Sequence, residues 1–170
     1  MQFRNLTEDD IECRVQSVKE NGVILLLYKN ARVDMNILDE TVGAENWQRE
    51  HYECKGNLFC RVGIKANDEW IYKSDCGVES NTDSQKGEAS DSFKRACFNW
   101  GIGRELYTSP FIWIPAENCK ILKGEKNGKP FYYCRDNFEV EKIAIENKKI
   151  VGLAIKNVTQ GKRCFVWQAK

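Results

Sequence analysis

The sequence predicts an α+β fold, an antiparallel β-meander packed against helices with a small C-terminal β extension. Three observations carry that expectation. Residues 47–76 hold three β-prone runs separated by the turn segments Lys55-Gly56-Asn57 and Asn67-Asp68, the pattern of consecutive hairpins. Two stretches, one from Ala31 and one around Ala89, repeat apolar residues at helical spacing. From about Lys120 onward, short apolar stretches alternate with turn signals at Asn127-Gly128, Asn147-Lys148-Lys149 and Gln160-Gly161-Lys162.

In chain order, Thr7 has the character of an N-cap with Asp10 three residues on, and Leu6 and Ile11 stand where a hydrophobic staple would place them. A helix is therefore expected from Glu8, ending by Asn21-Gly22. The apolar, β-prone run over residues 23–28 reads as a buried strand. From Ala31, the residues Met35, Leu38 and Val42, flanked by Val33 and Ile37, recur at helical spacing, and Gly43 supplies a stop. Strands follow over residues 47–54, 58–66 and 69–76. In the middle one Cys60, Val62 and Ile64 share a face, while Phe59, Arg61 and Lys65 share the other. A polar loop is expected over residues 77–86. Beyond it Ala89, Phe93, Ala96, Cys97 and Trp100 trace one side of a helix, with Lys94 and Arg95 off that side. Gly101-Ile102-Gly103 ends this helix, and Pro110 and Pro115 bracket the segment Phe111-Ile112-Trp113.

A chain of 170 residues, 42% of them apolar, can bury one core with or without an appended subdomain. The division is expected near residue 117, with a core over 1–117 and a β-rich extension over 118–170 packed on it. No apolar run is long enough to span a bilayer. The opening Met1-Gln2-Phe3-Arg4-Asn5 has neither the apolar stretch nor the cleavage site of a signal peptide, so a cytoplasmic protein without a membrane partner is expected. Eight cysteines then read as reduced thiols in apolar surroundings. The net charge is only +1, but residues 1–80 carry 10 basic and 15 acidic side chains while residues 120–170 carry 12 and 5. Such asymmetry suits head-to-tail packing of subunits, or a basic surface that meets phosphate.

Catalytic constellations are thin. His51 is the sole histidine, so any nucleophile pair would have to join it to Cys54 or Cys60, and those cysteines lack zinc-ligand spacing. No phosphate-binding lysine motif occurs, so no nucleotide cofactor is expected. Asp34, Glu40 and Asp75 could converge on a divalent cation, which makes a metal-dependent nuclease the enzymatic alternative. The blander reading leaves Asp34 and Glu40 exposed on their helix and Asp75 capping a loop. A sheet face bearing Arg61, Lys65 and Phe59, followed by a helix presenting Lys94 and Arg95, instead offers cations for phosphates and a ring for base stacking.

The stretch Gly87-Glu88-Ala89-Ser90-Asp91-Ser92-Phe93-Lys94-Arg95-Ala96-Cys97-Phe98-Asn99-Trp100-Gly101 resembles the signature helix of the Rad fifty-two/Rad twenty-two single-strand annealing family, with Phe93 where that pattern has leucine. The continuation Gly101-Ile102-Gly103-Arg104-Glu105-Leu106-Tyr107 is similar to phage and prophage members. The segment from Ala31-Arg32-Val33 to Asn46-Trp47, the Asp75-Cys76-Gly77 step and the residues Glu8 to Val15 agree in order, so the resemblance covers about residues 7–115. It implies a β-meander against helices, a homo-oligomer such as a ring, single-stranded DNA in a basic groove and annealing without nucleotide hydrolysis; no metal is expected, for want of ligand spacing. It also implies DNA contacts at Arg32, Lys94 and Arg95. Phe98 stands where many eukaryotic members have a further arginine, which removes a phosphate partner there, so either weaker binding or base stacking in its place is expected. A single-strand-binding protein is an expected partner, whereas a protein scaffold that binds no DNA is the remaining alternative.

Overall fold

The computed structural model describes residues 1–78 and 84–170, with residues 84–86 described by backbone alone. The chain is α+β with antiparallel sheets throughout. It divides into two units, one of residues 1–5 and 30–104, the other of residues 6–29 and 105–170. Among the described residues no helix is long and apolar enough to cross a membrane.

The first unit contains helix α1 (Ala31–Val42), strands β3 (Trp47–Cys54), β4 (Asn57–Ala66) and β5 (Glu69–Cys76), and helix α2 (Ser84–Trp100). Helix α1 starts because the Asn30 side chain accepts from the Arg32 and Val33 N–H groups, at 2.9 and 3.3 Å. The three strands form the expected meander in the order β3-β4-β5. Its two turns, Lys55-Gly56 and Asn67-Asp68, have both residues in the left-handed region, the form whose twist matches antiparallel strands. Residues 79–83 of the polar loop expected over residues 77–86 lie outside the described residues, and α2 is already formed at Ser84.

Helix α2 packs on β4 and β5 and also meets α1. Phe93, Ala96 and Cys97 are fully buried together with Cys60, Val62 and Ile64 of β4. Gly77 allows the close approach of chain and helix. A Cβ there would lie 2.3 Å from the Glu88 carbonyl oxygen. The helix ends in a Schellman arrangement, Ile102 N–H to Cys97 C=O at 3.1 Å and Gly101 N–H to Phe98 C=O at 2.9 Å, with Gly101 at φ +94°.

The second unit holds β1 (Glu12–Lys19), β2 (Gly22–Tyr28), β6 (Ile112–Pro115), β7 (Ile121–Lys126), β8 (Lys129–Cys134), β9 (Phe138–Glu146), β10 (Lys149–Asn157) and β11 (Lys162–Gln168). Six of these form one sheet in the order β11-β10-β9-β1-β2-β6, while β7 and β8 pair with each other. Register shifts within β1 and β10 bend the sheet, and the edge strands β11 and β6 come into contact. Val23, Leu25, Ile112, Ile114, Phe138, Leu153 and Ile155 are buried in this unit.

Two expectations are corrected here. The helix expected from Glu8 to about residue 21 is a single 3-10 turn, Glu8–Asp10, followed by β1. The local signals were real: Thr7 N–H donates to the Asp10 carboxylate at 2.8 Å, and Leu6 and Ile11 are buried. They fix one turn only, because Val15, Val18 and the Glu20-Asn21 reversal let β1 pair with the apolar β2, and a tertiary partner outweighs local propensity. The division at residue 117 also differs from the two units. Strand β9 pairs with β1, so the N-terminal hairpin and the C-terminal strands share a sheet.

Candidate nucleic-acid interface

Alternation along β4 produces two unlike faces, as expected. The face away from α2 carries Phe59, Arg61 and Lys65 on β4. The register Tyr52↔Phe59, Glu50↔Arg61, Gly63↔Tyr72 and Lys65↔Trp70 adds side chains from both neighbours to that face. Tyr52 and Phe59 stack with ring centroids 5.6 Å apart, and Trp70 and Tyr72 stack at 6.5 Å. The Arg61 guanidinium lies 5.1 Å from the Tyr72 ring centre. Tyr72 lies flat across the strand because Gly63 has no side chain, a Cβ there being 2.4 Å from the ring. Tyr52, Trp70 and Tyr72 remain exposed by 36%, 38% and 42%.

The cations on this face have partners. Arg61 Nε donates to Glu50 Oε2 at 2.8 Å, and Lys65 Nζ is 3.3 Å from Asp68 Oδ1. Both pairs are solvent-exposed, and such pairs contribute so little to stability that a phosphate can compete for the cation.

The opposite face is occupied by α2. Arg49 lies over the Phe93 ring at 4.7 Å and Trp47 stacks on it at 6.1 Å. Trp100 Nε1 donates to the Val62 carbonyl at 3.0 Å, and Lys73 Nζ donates to the Asn99 carbonyl at 2.9 Å. Two acidic residues of α2 satisfy nearby backbone: Glu88 accepts from Leu58 N–H in β4 at 3.1 Å, and Asp91 from Val78 N–H just past β5 at 3.1 Å.

This arrangement corrects the expected groove. Phe59, Arg61 and Lys65 are together, but α2 covers the other face of the same sheet, so Lys94 and Arg95 do not extend their cluster. Lys94 is itself 7% exposed, with Asp91 Oδ1 at 4.0 Å, rather than off the buried side. Ser92, Phe93, Lys94, Ala96 and Cys97 are all buried, an arc of roughly 200° at 100° per residue. An arc that wide needs two covers, and α2 has both the meander and α1. Arg95 lies beyond the arc with its side chain 41% exposed, its Nε 3.3 Å from Asp75 Oδ1. Asp75 also accepts from the Asn99 side chain at 3.4 Å, so it positions the arginine. Arg32 is exposed on the first turn of α1, and Phe98 is half-buried.

The residues weighed for catalysis are placed differently from a working constellation. Asp34 is fully buried, contrary to the exposure expected of it; Glu40 pairs with Arg4 at 2.7 Å; Asp75 faces Arg95. Among the described residues no three His, Cys, Asp or Glu side chains are set to hold a metal ion. His51 Nε2 bonds the Ala89 carbonyl at 3.0 Å. Burial pushes the Cys60 thiol up to about 11, only partly offset by Arg49, and Cys13, Cys119 and Cys164 are raised to about 12, 11 and 11, chiefly by burial. Such thiols stay protonated at neutral pH and are poor nucleophiles. Cys54 is the exposed exception among the eight.

Sequence reasoning missed Tyr52, Trp70 and Tyr72, which the alternation applied to β4 would have found on β3 and β5. It also missed Arg104, whose Nε and Nη2 donate to the Phe98 and Asn99 carbonyls at 2.6 and 3.0 Å and close the C-terminus of α2. No protein-family model matches this chain, and no curated protein does.

Proposed function

We propose that this protein binds single-stranded DNA and anneals complementary strands in homologous recombination and DNA repair, without nucleotide or metal, as a homo-oligomer in the cytoplasm of a bacterial or phage-infected cell. The observation that carries the reading is the outward face of the meander, where four aromatic side chains alternate with Arg61 and Lys65. Rings that stack on any base, with cations that meet any phosphate, bind a strand without reading its sequence. Annealing needs that combination. A base lying on a tyrosine or tryptophan keeps its pairing edge open to an incoming strand.

The resemblance of residues 90–101 to the Rad fifty-two/Rad twenty-two signature agrees with this reading and supplies its oligomeric part. A near-neutral subunit binds weakly alone, but a ring presents many weak sites to one strand and multiplies them. In the proposal Phe59, Arg61, Lys65, Trp70 and Tyr72 contact the strand, Arg95 and Arg32 add phosphate contacts, Phe98 offers a base a half-buried ring, and a host single-strand-binding protein supplies coated strands.

Electrophoretic mobility shift with a labelled oligo(dT) strand in EDTA tests it. Wild-type protein shifts the strand at low salt, and Trp70→Ala weakens binding at least about fivefold, since one base stack is worth about 1–3 kcal/mol. A strand left unshifted at low salt rejects the proposal in favour of a protein-only scaffold, and Mg²⁺-dependent loss of the labelled strand favours a nuclease.

A further inference from the structure

Strands β7 and β8 pair only with each other, through the turn Asn127-Gly128 with φ of +53° and +72°. Their register sets Lys126 opposite Lys129, Gly124 opposite Phe131 and Leu122 opposite Tyr133. Side chains alternate between the faces of a strand, so Lys126, Lys129, Phe131 and Tyr133 share one face. Arg135, just past β8, lies over the Tyr133 ring at 5.4 Å and joins them. The one carboxylate of these two strands, Glu125, falls on the other face.

Phe131 and Tyr133 have ring centroids 5.6 Å apart. Gly124 leaves room for the Phe131 ring across β7, a Cβ there being 2.7 Å from it, yet the phenylalanine stays 44% exposed. Lys126, Lys129 and Arg135 are exposed as well. Among the described residues none of these three cations has an acidic partner, unlike Arg61 and Lys65. Lys126 and Lys129 are moreover directly cross-strand, where like charges destabilise a hairpin. Folding alone does not account for that pairing, and an anion between the two ammonium groups would relieve it.

We propose that this face of the β7–β8 hairpin is a second contact for single-stranded DNA, with Lys126, Lys129 and Arg135 on phosphates and Phe131, backed by Tyr133, stacked on a base. The inference rests on the strand-binding reading above and extends it to a region outside the family resemblance.

The test is a salt titration of oligo(dT) binding by the full chain, comparing wild type, the double variant Lys126→Ala/Lys129→Ala and Phe131→Leu. Losing two phosphate contacts lowers the log–log salt slope by about 1.4, at about 0.7 per contact on a single strand. Phe131→Leu keeps Gly124 covered but removes the π-face, and weakens binding at least about fivefold with no change in slope. Should Phe131→Leu lower the thermal midpoint, the lysine variant alone decides, because both of its side chains are exposed. If both variants bind as wild type does while Trp70→Ala binds worse, the hairpin inference is overturned and strand binding by the meander stands. That is also the outcome if the hairpin docks an acidic protein segment instead. If wild-type protein binds no strand at any salt, both readings fall.

Discussion

Adjacent residues of α2 have opposite fates. Lys94 is buried with Asp91 4.0 Å away, while Arg95 reaches out beside Asp75. A lysine that is itself buried stabilises through its methylenes as well as its charge, and cutting it back leaves a gap in the packing. Lys94→Ala should therefore destabilise the chain by about 1–3 kcal/mol in urea unfolding and leave the salt slope of strand binding unchanged. Arg95→Ala should fold normally and lower that slope by about 0.7. The opposite pattern, a stable Lys94 variant with a reduced slope, would restore Lys94 as a phosphate ligand. The identity of both residues was legible in the sequence. Their burial was not, because it depends on how many elements cover the helix.

Among the elements, short-range chemistry was the most legible. The Gly43 stop, the turns of the meander and the two faces of β4 are each fixed within a few residues of chain and were read correctly; the Asn30 cap is as local but was overlooked. Strand β1 was misread because its capping signals are local, whereas its pairing with β2 and β9 is not. The end of α2 shows the same limit. Its glycines announced a stop, but nothing announced that Arg104 would bond the Phe98 and Asn99 carbonyls. Arg104→Ala removes one donor from each acceptor, leaving Gly101 N–H on the Phe98 carbonyl and Lys73 Nζ on the Asn99 carbonyl, and should cost about 1 kcal/mol. Urea unfolding at neutral pH measures it, and a loss below the error of the midpoint would reduce Arg104 to a surface residue.

At the scale of the whole molecule, the sequence suggested a core over residues 1–117 with a β-rich extension packed on it, whereas the sheet order interleaves the N-terminal hairpin with the C-terminal strands. Strands β1 and β2 lie in one sheet with β9, β10 and β11, so a fragment of residues 1–117 would keep β6 on β2 but remove β9 from β1, and with it the buried Phe138, Val140, Leu153 and Ile155 of that unit. That fragment should aggregate or melt without cooperativity by circular dichroism. A soluble fragment with a sharp transition would re-establish the boundary. The α+β class was legible because it follows from periodicity summed over many residues. The pairing of distant segments was not, because β-strands carry no label for their partners.

The central claim, annealing by sequence-blind contacts to phosphates and base faces, is tested most directly by mixing two complementary fluorescently labelled oligonucleotides with and without the protein, in low salt and EDTA and with no nucleotide. The account predicts that pairing accelerates and that the acceleration declines steeply as salt rises, because cation–phosphate contacts release counterions. Folded protein that leaves the pairing rate of intact strands unchanged would contradict it.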